Sequence, residues 1–154
     1  MLVLLISSSD EYDSFFSSED KNFKFHHTNE LEQARYYISS TNYDVIFINV
    51  KNNDMLDKYV GFVKEWREKN VWIPVCYITN LPVMYEDLVK KTDGYNCITM
   101  IDSRQDDATI KKQIDDVLFI VSDEGKEVLN NVQEAIKNVN KKIDETHASI
   151  IRGV

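Results

Sequence analysis

The residues whose types and spacing bear on chemistry sit where short apolar runs give way to polar ones. Val45–Ile48 is an unbroken β-branched and aromatic run that ends on Asn49, within the stretch YDVIFINV at 43–50. Such runs are the buried central strands of parallel sheets, and in open α/β sheets ligands and chemistry gather at their carboxyl ends. A carboxylate at that place would be a nucleophile; the amide of Asn49 is not. The first apolar run, Leu2–Ile6, ends on Ser7-Ser8-Ser9, which offers neutral oxygens only. A third run, Trp72–Thr79, closes on the hydroxyl of Thr79. With Asn49 and the serines, it predicts a neutral, hydrogen-bonding pocket.

Other candidates read more plainly as structure. Asp10 and Glu11 follow the first strand and are placed to meet a cation, but acids are commonest in the first turn of a helix. His26-His27 resembles a metal pair, yet neighbours on a strand point to opposite faces and no third ligand stands at useful spacing. Cys76 and Cys97 fall on two predicted strands and read as small buried hydrophobes rather than a redox pair. Tyr77, Tyr85 and Tyr95, with Met84, form a candidate aromatic contact surface. No metal and no cofactor is implied.

The elements that position these residues alternate regularly. Strands are predicted at Leu2–Ile6, Asn22–His27, Tyr43–Val50, Trp72–Thr79 and Cys97–Ile101. Helices are predicted at Asp10–Ser18, at Asn29–Ser39 with Thr28 as N-cap, and at Leu56–Lys69. Two more follow, from about Leu81 to Lys91 and at Asp107–Ser122. Five strands alternating with helices define a doubly wound α/β domain, a parallel sheet with helices on both faces. This domain is assigned to residues 1–122.

Residues 123–154 differ in kind. From Leu129 the apolar positions run Val132, Ile136, Val139, Ile143, Thr146 and Ile150, spaced alternately by three and four. That is a heptad seam, and it predicts a long helix or coiled coil that makes a homodimer. Gly125 stands either as a hinge or as an exposed glycine within one long helix.

Net charge is −8, and residues 126–154 hold five basic and four acidic side chains, leaving 13 basic against 22 acidic in the rest. An acidic body argues against binding nucleic acid, which needs clustered Lys and Arg. No apolar stretch is long enough to span a membrane, and the start lacks a signal-peptide leader. Two unspaced cysteines fit a reducing compartment, so the cytoplasm is expected.

Over about residues 1–122 the order of elements, together with YDVIFINV, IPVCYIT and DGYNCITM, resembles the receiver domain of two-component response regulators. The resemblance implies a flavodoxin-like fold and a phosphoacceptor pocket at the strand ends. In that family paired acids after the first strand hold magnesium, and here Ser7 and Ser8 take those places. The phosphate-accepting aspartate is matched by Asn49, and the hydroxyl residue of the fourth strand by Thr79. The lysine of the fifth strand is matched by Met100, followed by Ile101. The switch aromatic is matched by Cys97, or by Tyr95 if the register slips. Four departures together describe a pseudo-receiver: a non-enzymatic signalling module that works by protein–protein contact and dimerises through its C-terminal helix. Its implied partners are itself and another signalling protein or an output domain beyond the helix. A small-ligand sensor, taking a nucleotide or metabolite in the strand-end pocket, is the alternative.

Overall fold

The computed structural model describes residues 1–16, 23–69, 71–80 and 98–152. The chain divides into two compact units, Met1–Leu118 and Phe119–Val154.

In the first unit five strands, β1 (Leu2–Ile6), β2 (Lys24–Thr28), β3 (Val45–Val50), β4 (Val75–Thr79) and β5 (Ile98–Asp102), form one parallel sheet in the order β2-β1-β3-β4-β5. The chain steps from β1 to one edge and then returns past it to the other. Right-handed crossovers therefore put the β1–β2 connection on one face and the connections that follow β2 and β3 on the other. The side chains agree. Leu4, Ile6, Ile46, Ile48, Val75 and Tyr77 share a core with α1 (Leu31–Ser40) and α2 (Asn53–Glu68). On the alternate face Phe47 meets Phe16 edge-on at 4.9 Å between ring centroids, and Phe16 stacks on Phe25. On that side Lys111 of α3 (Asp107–Val121) donates to the Phe15 carbonyl at 2.7 Å. Apart from the half-buried Leu2, strands β1, β3 and β4 are buried residue after residue, as double-sided covering requires.

Several local expectations change. Instead of a helix over Asp10–Ser18, the described residues hold a 3-10 turn at Asp13–Phe16, which buries Tyr12 and Phe16. Thr28 is the buried last residue of β2 rather than an N-cap. Its Oγ1 donates to Gln33 Oε1 at 2.6 Å and accepts from the Glu30 amide, so it braces the turn into α1. Helix α2 starts three residues earlier than the apolar stripe because Asn52 caps it, its side chain accepting from the Met55 amide at 2.9 Å. The stripe itself, Leu56, Tyr59, Val60, Val63 and Trp66, is buried throughout. The helix predicted near 81–91 lies outside the described residues.

At the end of α2, Arg67 is 4% exposed. Its Nη1 donates to the carbonyls of Val71 and Ile73, and the guanidinium lies 5.1 Å from the Trp72 ring centroid. A planar donor fork with a stacking face suits that place, where it fixes the approach to β4.

The second unit is carried by α4 (Asp123–Arg152), 30 residues and about 45 Å long. Ser122 separates it from α3: its Oγ donates to the Phe119 carbonyl at 2.5 Å and accepts from the Gly125 amide at 3.0 Å. A Cβ on Gly125 would stand 1.8 Å from the Phe119 oxygen. Gly125 is thus not an exposed residue within one long helix. It is a buried third residue of α4 that lets the chain pass its own carbonyl.

Candidate functional site

The carboxyl ends of β1 and β3 bring three of the expected polar residues into reach of one another. Asn49 is 2% exposed, and its Nδ2 donates to Ser7 Oγ and to Glu11 Oε1, each at 3.0 Å. Ser7 Oγ also accepts from the Ser9 amide at 3.2 Å. Glu11 Oε1 accepts from Ser9 Oγ at 3.1 Å and pairs with Lys51 Nζ at 2.9 Å. The Lys51 ammonium at this carboxylate holds the Glu11 pKa below its ordinary value, with smaller help from Asn49 and Ser9 against partial burial.

The chemical consequence follows from this inventory. Among the described residues the cluster around Asn49 holds one carboxylate, Glu11, already matched by one ammonium and two neutral donors. Asn49 points its amide nitrogen, not a nucleophilic oxygen, into the cluster. Among the described residues no group of three Asp, Glu, His or Cys side chains is placed to hold a metal ion. The polar atoms a ligand would need at Ser7 and Asn49 are joined to one another.

The remaining expected residues are placed differently. Ser8 is exposed, unlike the buried Ser7 that enters the cluster. Thr79 is buried at the end of β4, level with Val50 and Asp102, and strand alternation gives it the face opposite Asn49. Met100 does not stand at the end of β5. It is level with Tyr77 and packs against the core cluster. The residue level with Thr79 is Asp102, whose carboxylate accepts from Arg104 Nε at 3.0 Å and Nη2 at 2.9 Å. That fork holds the Asp102 carboxyl below the usual range.

The histidines separate as neighbours on a strand should. His26 Nδ1 meets the Tyr43 hydroxyl at 2.7 Å. His27 bridges Asp13 Oδ2 at 3.0 Å and the Ser7 carbonyl at 2.9 Å, tying β2 to the start of the cluster. Tyr77 is fully buried rather than part of a contact surface, and burial pushes its phenol well above the ordinary range. Burial likewise raises the Cys76 thiol, leaving it a core side chain. Met84, Tyr85, Tyr95 and Cys97 lie outside the described residues.

Glu11 and Lys51 are the members that sequence reasoning underused. Both were visible as polar residues just past a strand. Their pairing depends on β1 and β3 being adjacent and on residues 10–12 forming a turn, not a helix.

The fold is that of the flavodoxin-like α/β class in its receiver form. A solved structure described as the receiver domain of the Francisella response regulator 1452 superposes with a TM-score of 0.56 at 19% identity, covering 78% of this chain and 95% of that one. No family model matches the chain, and no curated protein matches it. No helix among the described residues is long and apolar enough to cross a membrane.

Along α4 the seam is exposed in the single chain. Leu129, Val132, Ile136, Val139 and Ile143 are each 44–60% accessible.

Proposed function

We propose that this chain is a non-catalytic signal-transduction module. It keeps the receiver scaffold, acts through protein–protein contact and self-association along α4, and takes no phosphoryl group at Asn49. Its partners are further copies of itself and another signalling protein or an output domain. The observation that carries this is the bonding of Asn49. Its amide nitrogen donates to Ser7 and Glu11, and Lys51 already neutralises the nearest carboxylate. Acyl phosphate formation needs a carboxylate nucleophile, and a transferred phosphoryl group needs uncommitted cations; the cluster supplies neither. The receiver-like neighbour supports a regulatory role for the fold, and the exposed seam supports assembly.

The test is light scattering of the full chain beside the variant Ile136→Asp/Val139→Asp, each with and without Mg²⁺ and acetyl phosphate. A self-associated chain, a monomeric variant and no response to the phosphodonor are expected. A monomeric wild-type chain, or one whose assembly shifts with the phosphodonor, would overturn the proposal.

A further inference from the structure

We infer that α4 assembles as a parallel coiled coil of three identical copies, a stoichiometry that rests on the self-association proposed above. The seam sorts into two kinds of layer. The a positions are Leu129, Ile136, Ile143 and Ile150, and the d positions are Val132, Val139 and Thr146. Every d position is therefore β-branched. In a two-stranded coil the Cα–Cβ bond at d points straight at the partner helix, where Leu fits and a β-branched side chain is forced from its one good helical rotamer. Three-stranded packing approaches both layers obliquely and accepts β-branched residues at each. No Asn or Lys occupies an a position, so the device that commonly selects two strands is missing.

The flanks point the same way. The g positions beside the first two layers are Val128 and Ala135, so the apolar stripe is wider than a and d alone, and Val128 is 46% exposed in the single chain. A third helix covers g positions that a second leaves half in water. The e positions Gln133 and Asn140 are uncharged, Lys126 at e and Lys142 at g are isolated flank charges, and Glu127, Glu134, Lys137, Lys141, Asp144 and Glu145 fall on the outer b, c and f positions. Identical copies meet no like-charge ladder at the flanks. Nor do those flanks carry the block of single charge that selects a different partner helix.

Sedimentation equilibrium of the full chain over a concentration series, beside the variant Val132→Leu/Val139→Leu/Thr146→Leu, tests this. Wild type should converge on three chain masses and the leucine variant on two. A wild-type dimer or tetramer overturns the three-stranded assignment and leaves self-association standing. A monomer overturns both. A trimer that persists in the leucine variant removes the d-position cause.

Discussion

Asn49 on β3 and Glu11 beyond β1, 38 residues apart in the chain, are joined by a 3.0 Å hydrogen bond from the Asn49 amide to the Glu11 carboxylate. An acidic residue in place of Asn49 would face that carboxylate at the same distance. The amide thus makes the strand end a closed, charge-balanced network.

Replacing Asn49 should therefore be felt in stability. Asn49→Ala removes one of the two donors to buried Ser7 Oγ, together with a donor to Glu11, and should cost about 1–3 kcal/mol. Asn49→Asp should also destabilise at neutral pH, by setting two carboxylates side by side. Urea unfolding at pH 7 checks both, and a neutral result for either would disconnect the network from folding.

Glu11 gives a pH signature. Its pKa is lowered in the folded state, so its contribution is complete above the ordinary carboxyl value of 4.5 and fades as pH falls through the lower folded value. Glu11→Gln should flatten the decline of stability in that acid window and lower stability slightly at pH 7. The effect is small because both Glu11 and Lys51 are nearly half exposed. Unfolding curves taken from pH 7 to pH 3 decide it; an unchanged slope in the variant would contradict the pairing.

Arg67→Ala removes the donor shared by the Val71 and Ile73 carbonyls and the cation over Trp72. A loss of at least about 2 kcal/mol is expected, with Arg67→Lys recovering only part, since an ammonium lacks the planar fork. Thermal unfolding of the two variants side by side reads this out.

Gly125→Ala must displace either the Phe119 carbonyl or the first turn of α4. About 1–3 kcal/mol of destabilisation is expected by analogy with overpacked sites. Substituting Ala at exposed Glu124 should change little, and calorimetry of both variants provides the comparison.

What could be read from the sequence divides by physical range. The strand β3 was legible because both its faces are apolar, and α2 because its stripe repeats at helical spacing. Asn49 followed at once, since a strand end fixes where a side chain stands. Glu11 and Lys51 were not legible as partners, because their pairing is made between strands and not along one. Early acids after β1 imitate a helix start, whereas Glu11 is drawn inward to Asn49 and Lys51. The strand-end position expected of Met100 falls two residues later, at Asp102, and only the register with Thr79 places it.

The most direct measurement is the intact mass of the full chain after incubation with Mg²⁺ and acetyl phosphate at neutral pH. A receiver scaffold whose strand end carries a bonded amide should return the unmodified mass. One added phosphoryl group per chain, lost on treatment with hydroxylamine as an acyl phosphate would be, would contradict the central claim.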